Sequence, residues 1–403
     1  MKNKVNNNIA IVFDDLTEFF TIEPAISKLE KNGYKIDLIV PYDSGYNGLA
    51  EHTIKKVKEL GYSPKNDAPK NKTYKILLTP YPGLDVVKRM NFVYHLRYPY
   101  GALSPKPNPT YLPDHVYYYD GIFLFNKHET YLNAYGPIIY PLPYWRYHNF
   151  KNNKRNTKSK PTLLLLPTFG ADISFINRLT TKAIKDIKKH YHVIAKAHHA
   201  VHFDIDGQGN LDKLKNACDE FYDSDTAIDV LLSKADIVLS DNSGAIFDSI
   251  CANVPVAIFT DSPNSRRLGK LDTLQYQLVQ KGIIPQAKKA DEVLPILLNI
   301  KHYTEKQRKL KKDLFVCDYQ DPFEEFLKII RYYITKDENK DERKMLHDYF
   351  LSDLLKKDQA VQRLEQEAKE CKRSIDAIHN STSWKITKPL RKIKATIKKE
   401  PNV

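Results

Sequence analysis

The segment 236–259 constrains the fold of this chain more than any other. It reads Asp-Ile-Val-Leu-Ser-Asp-Asn-Ser-Gly-Ala-Ile-Phe-Asp-Ser-Ile-Cys-Ala-Asn-Val-Pro-Val-Ala-Ile-Phe: an apolar strand, a loop of small polar residues, a helix and a second apolar strand. That order with short connections belongs to a parallel sheet. The loop Ser240-Asp241-Asn242-Ser243-Gly244 opens the helix, whose first N–H groups have no partner within the helix. Those donors and the positive end of the helix dipole make an anion site, and Ser243 with Gly244 permits close approach. The same residues also read as an ordinary cap through the Ser243 hydroxyl.

The alternation continues on both sides. Strands over 8–13, 35–40, 74–79, 90–95 and 121–125, with a helix over 23–32, predict an α/β domain. Its strand-end loops are dense in Tyr, Pro and Gly, as in Leu96-Arg97-Tyr98-Pro99-Tyr100-Gly101. Residues 151–160 carry five basic side chains and no apolar one, the composition of a linker. Beyond it, strands over 162–166, 192–197, 236–240 and 254–259 alternate with helices over 175–189, 226–234 and 245–252. Asp321-Pro322-Phe323-Glu324 then starts a helix that runs to about 333. The expectation is an α/β protein of two Rossmann-type domains facing a cleft, 1–150 and 161–335, with ligands bound beyond the carboxyl ends of the strands. A length of 403 residues fits two domains and an appendage.

The appendage is 336–403. Val361, Leu364, Ala368, Cys371, Ile375 and Ile378 alternate spacings of 3 and 4, with Leu354 one heptad earlier, which predicts a long amphipathic helix. Such a helix either packs across the domains or pairs with a second copy as a homo-oligomer. Residues 384–399 open on Trp384 and interleave Lys385, Lys388, Arg391, Lys392, Lys394, Lys398 and Lys399 with Ile386, Leu390, Ile393 and Ile397, without an acid. That pattern suits the headgroup layer of an anionic inner membrane, and a solvated basic tail is the plainer alternative. Apolar runs such as 162–166 fall far short of the roughly 20 residues that span a bilayer. The run 9–13 is likewise shorter than a signal-peptide core. A cytoplasmic protein, peripheral on the cytoplasmic face of the plasma membrane, is expected. The net charge of +14 asks for a polyanionic partner. Its densest segments are the linker and the tail, and no RNA-binding or helix-turn-helix pattern occurs, so no nucleic-acid partner is expected. Four scattered cysteines predict reduced thiols and no metal centre.

Two further features surround the Ser240–Gly244 loop. Lys196-Ala197-His198-His199 ends a strand of the second domain, where a histidine can neutralise a leaving phosphate or act as a base. Pro167-Thr168-Phe169-Gly170 ends another. Asp204-Ile205-Asp206 and Asp223-Ser224-Asp225 follow no recognisable strand and read as loop or cap residues.

Taken together, the 236–259 unit, Leu165-Leu166-Pro167-Thr168-Phe169, Lys196-Ala197-His198, the acidic Leu-rich run 225–236 and the closing segment 315–330 resemble the CDP-glycerol glycerophosphotransferase family of teichoic-acid and capsule enzymes. The resemblance covers roughly 75–335 and is firmest over 162–260. It implies a GT-B fold and transfer of an alditol phosphate from a CDP-alditol to a hydroxyl of a polymer or lipid-linked glycan, with release of CMP and no cofactor. It also gives His95, in Tyr94-His95-Leu96-Arg97, the place of the family's Trp-His-Gly-Thr histidine and hence the role of base. His198, Thr168, Ser240, Asp241, Ser243 and Gly244 are the expected nucleotide and phosphate contacts, and Asp248 reads equally as structural. This sequence departs from the family at the missing Gly-Thr pair and at Asn242 and Gly244, which leaves a nucleotide-sugar glycosyltransferase as the alternative.

Overall fold

The computed structural model describes residues 7–41, 48–69, 71–80, 89–103, 119–129, 137–147, 150, 160–168, 174–198, 208–241, 243–260 and 273–336, with a few helical residues between 363 and 377. Contacts divide the chain into two compact units, 1–337 and 338–403.

The first unit carries two six-stranded parallel sheets. One is built from β1 (Asn8–Val12), β2 (Lys35–Ile39), β3 (Thr73–Thr79), β4 (Asn91–Arg97), β5 (Gly121–Leu124) and β6 (Ile138–Pro141), in the order β2-β1-β3-β4-β5-β6. The other holds β7 (Thr162–Leu166), β8 (His192–Lys196), β9 (Glu220–Tyr222), β10 (Ile237–Ser240), β11 (Val256–Phe259) and β12 (Gln286–Ala287), in the order β12-β11-β10-β7-β8-β9. Every pairing is parallel. Sheets covered on both faces read as unbroken apolar runs, and Leu163, Leu164 and Leu165 of β7 are fully buried. In each sheet the strand order reverses beside the first strand, between β1 and β3 and between β7 and β10. Those reversals open a crevice at the carboxyl ends of the strands.

The helices differ from expectation in instructive places. Helix α1 (Leu16–Lys31) starts seven residues before the expected Glu23, because Asp15 caps it by accepting from the Glu18 amide at 2.9 Å, and it runs on through Pro24. Helix α2 (Leu49–Glu59), β6, helix α3 (Thr181–Lys188), helix α4 (Gln208–Ala217) and β9 complete the alternation; of these only α3 falls within an expected element. The helix expected over 175–189 is a 3₁₀ turn, Phe175–Asn177, followed by α3, which Thr180 caps through the Ala183 amide. Strand β4 extends to Arg97, so His95 lies inside the strand and the aromatic loop begins at Tyr98. Helices α5 (Ile228–Leu232) and α6 (Ala245–Cys251) flank β10, and α7 (Leu274–Gln280), α8 (Ala290–Leu298) and α9 (Lys301–Leu314) follow.

The last helix of the unit, α10 (Glu324–Thr335), returns to the first sheet. Phe326 meets Phe123 edge-on at 5.2 Å, Tyr333 meets Tyr94 at 4.9 Å, and the Tyr333 hydroxyl donates to the Asp120 carbonyl. By packing, this helix belongs with the strands of 1–150, although in sequence it closes the expected second domain. The fully buried Phe326, Ile330 and Tyr333 explain the return: their apolar face is satisfied there.

Most of 338–403 lies outside the described residues, including the tail 384–399 and every expected seam position except Cys371, which is exposed in a helical stretch. The linker 151–159 and the pair Asp204 and Asp206 lie outside them too. No described helix is long and apolar enough to cross a membrane.

Candidate functional site

The second sheet's reversal is held by Asp241. This side chain, at the carboxyl end of β10, is fully buried, and its two oxygens accept from the Thr168 amide at 3.1 Å and the Phe175 amide at 3.0 Å. It thereby ties the loop after β10 to the loop after β7. Burial pushes its pKa up to about 7, against the pull of those amides. Ser240 is also fully buried and donates to the Leu166 carbonyl at 2.8 Å. Asp241 and Ser240 therefore shape the loop from below, and their polar atoms are turned into the protein. Ser243 and Gly244 are partly exposed above them. The Ser243 hydroxyl accepts from the Ala245 amide at 3.3 Å, and its carbonyl accepts from Gln275 Nε2 at 3.1 Å. Asn242 lies outside the described residues, as do Phe169, Gly170 and His199.

Strand β8 contributes the next group. Lys196 ends it and His198 stands two residues further on, half-buried. Beside them, the loop after β9 carries Asp223 and Asp225. The strand they follow is only three residues long and lies at the sheet edge, and they stand in a loop. Asp225 pairs with His52 Nε2 at 2.8 Å and with Lys56 Nζ at 3.4 Å, both on α2 of the first sheet's domain. Burial opposes its charge, yet these two partners bring its pKa below the usual carboxylate value.

The first sheet supplies the opposite wall. After β1, Asp14, Asp15 and Glu18 cluster, with the Asp14 amide donating to Glu18 at 2.6 Å. Burial first, and then Asp15 and Asp14, raise the Glu18 pKa well above its ordinary value. The 3₁₀ turn Trp145–Tyr147 crosses to the second sheet: Arg146 Nε donates to Asp229 of α5 at 2.8 Å, and the Tyr147 hydroxyl donates to Asp248 of α6 at 2.9 Å. Trp145 anchors the turn, donating to the Thr21 carbonyl and stacking on Phe323 at 5.3 Å. Asp248 is buried, and burial lifts its pKa to about 6 although Arg146 and Tyr147 pull the other way. Its place is the seam between the two sheets.

His95 sits within the first sheet and is 1% exposed. Its Nε2 meets the Thr79 hydroxyl at 2.9 Å, its ring lies 4.5 Å from that of Tyr119, and its backbone amide donates to Asp120 at 2.8 Å. Thr79 and His95 occupy the carboxyl halves of β3 and β4, beside the first sheet's reversal.

The structure thus gathers Thr168, Asp241, Ser243, Gly244, Lys196 and His198 at the carboxyl edge of the second sheet. His95 belongs to the other wall. The seam residues Arg146, Tyr147, Asp229 and His52, and the helix cap Asp15, escaped the sequence reading. Only Asp15 carried a local signal, as the first residue of an Asp-x-x-Glu cap.

This fold is shared with solved structures. The fold is GT-B-like. The wall teichoic acid polymerase TagF matches with a TM-score of 0.58 at 12% identity, over 82% of this chain and 89% of that one. A substituted form of that polymerase soaked with CDPG gives 0.54 at 13% identity, over 82% and 90%. A protein assigned as a UDP-N-acetylglucosamine 2-epimerase from Listeria monocytogenes gives 0.55 at 12% identity, over 82% and 97%. Neither a family model nor a curated protein matches the sequence.

Proposed function

We propose that this protein is a GT-B-type transferase of bacterial surface-polymer synthesis. It moves glycerol phosphate or a related alditol phosphate from a CDP-alditol to a hydroxyl of a glycan or lipid-linked acceptor and releases CMP. The observation that carries the reading is the Asp241 clamp. It fixes the Thr168 and Ser243–Gly244 loops side by side at the β7/β10 reversal, where open α/β sheets take their ligands, with His198 just beyond the end of the neighbouring strand. TagF supports it through the fold alone.

On this reading the donor diphosphate lies over Thr168, Ser243 and Gly244, and His198 meets the phosphoryl oxygens on the leaving side. Preorganised donors at a leaving group stabilise the charge that grows there. The acceptor hydroxyl approaches from the first sheet and loses its proton to His95. Thr79 occupies the Nε2 position that the acceptor would take. The basic segment 384–399 would hold the enzyme at an anionic membrane, near a lipid-linked acceptor.

A nucleotide sugar is the second donor class, favoured by the comparable TM-score of the epimerase fold. Incubation with CDP-glycerol, CDP-ribitol, UDP-N-acetylglucosamine and GDP-mannose, followed by chromatography of the released nucleotide, separates the classes. Release of CMP from a CDP-alditol is expected. Turnover of a nucleotide sugar alone would overturn the alditol-phosphate reading.

A further inference from the structure

Arg97 closes β4, two residues after His95 and so on the same face of the strand, and it pairs in register with Thr79 at the end of β3. Its Nε donates at 3.0 Å to the carbonyl of Pro80, the first residue past β3, which holds the guanidinium at the carboxyl edge of the sheet. The residue is 9% exposed. A guanidinium carries five N–H donors in a rigid fork and no acceptor. Among the described residues, Arg97 makes no hydrogen bond besides the one to Pro80 and no ion pair. The terminal N–H groups of the fork are left without a protein partner beside the first sheet's reversal.

The neighbours at that edge offer hydroxyls and a ring. The Tyr119 hydroxyl meets the Thr79 hydroxyl at 3.5 Å, and the Tyr119 ring lies 4.5 Å from that of His95. Burial raises the Tyr119 pKa, Arg97 pulls it the other way, and Glu18 adds to the rise. Glu18 is itself fully buried and held well above its ordinary pKa, which favours its neutral form. The Asp120 carboxylate accepts from the His95 backbone amide. Leu96-Arg97 also stands where the family resembled by this sequence carries its Gly-Thr pair, so this cation is a feature of the present chain. A planar fork matches two oxygens of a phosphate or a carboxylate, and it does so better than a point charge would.

We infer that Arg97 is an anion-binding residue of the acceptor wall, whose guanidinium takes an oxyanion carried by the acceptor next to the hydroxyl that attacks. The acceptor is then anionic, with a phosphodiester or a carboxylate beside its reacting hydroxyl. This rests on the functional reading above, in which His95 marks the place of that hydroxyl. It holds for either donor class, because the donor is taken by the other sheet.

The test is isothermal titration of the full chain with four probes: glycerophosphoglycerol, methyl glucuronide, the neutral methyl glucoside, and CDP-glycerol. One anionic probe is expected to bind the wild type at least about 10-fold more tightly than the neutral one, and which of the two does so identifies the oxyanion. Arg97→Met is expected to weaken that probe about 10- to 100-fold, the worth of hydrogen bonds to a charged group, and to leave CDP-glycerol affinity unchanged. Arg97→Lys keeps the charge and a donor for the Pro80 carbonyl but loses the fork, so an intermediate loss is expected. It serves if the Met variant fails to fold. No preference for an anionic probe in the wild type, or wild-type affinity in both variants, would overturn the inference while leaving the function standing. An equal loss of CDP-glycerol affinity would assign Arg97 to the donor and overturn it as well. Failure of the wild type to bind CDP-glycerol or a nucleotide sugar would remove the functional reading on which the inference rests.

Discussion

His95 and Asp248 are both buried beside the crevice, yet they make opposite demands on it. His95 is 1% exposed, and its Nε2 meets the Thr79 hydroxyl at 2.9 Å. His95→Ala is expected to lower transfer by about 10²–10⁴-fold, the usual range of general-base catalysis. Donor affinity should stay unchanged by titration. Equal loss of donor binding would make His95 a structural residue. Asp248 illustrates a carboxylate whose burial has a thermodynamic consequence. Its pKa is about 6 folded against an ordinary 3.8, so between those values the native state binds more protons than the unfolded chain. Stability is therefore lost as pH rises through that window and stays lower above it. Asp248→Asn keeps an acceptor for the Tyr147 hydroxyl and removes the charge. It should match the wild type near pH 4 and exceed it by on the order of 1–3 kcal/mol at pH 7.5 in urea unfolding. A variant that instead loses ground as pH rises would show that the Arg146 attraction outweighs burial.

At the scale of elements, the return of α10 to the first sheet is the feature on which the seam depends. Phe326 and Phe323 buttress Trp145, whose turn carries Arg146 and Tyr147 to the second sheet. The return is admitted by Gly121 at the start of β5. A Cβ there would lie 2.8 Å from Tyr140 Cε2 and 2.9 Å from the Tyr333 hydroxyl. Gly121→Ala is expected to push α10 outward, lowering stability by about 1–3 kcal/mol as overpacking does. Faster amide exchange in 324–335 is the accompanying signature, and unchanged exchange would mean that the tyrosines yield instead. The same elements show what a sequence makes legible. The apolar strands and the 236–259 unit could be read because buried parallel strands leave unbroken runs. Helix α1 was expected from Glu23, while its real start depends on the Asp15 cap. Strand β9 is too short to leave a period. The seam joins residues as far apart as His52 and Asp225, and local pattern holds no record of such pairs.

For the whole molecule, the account is one of two walls with separate tasks. On the proposed reading the second sheet would offer amides and His198 to a diphosphate, and the first would offer His95 to an acceptor. Arg146–Asp229, Tyr147–Asp248 and His52–Asp225 hold the walls in register. The candidate residues of the second wall were legible because they all close a strand. Their division of labour was not, since Asp241 and Ser240 look like phosphate contacts until their side chains are seen bonded to amides and a carbonyl inside the fold. The most direct measurement of the central claim is a crystal structure of the protein soaked with CDP-glycerol. The diphosphate is expected over Thr168, Ser243 and Gly244, within hydrogen-bond reach of His198. A nucleotide bound against the first sheet, away from the β7/β10 reversal, would contradict it.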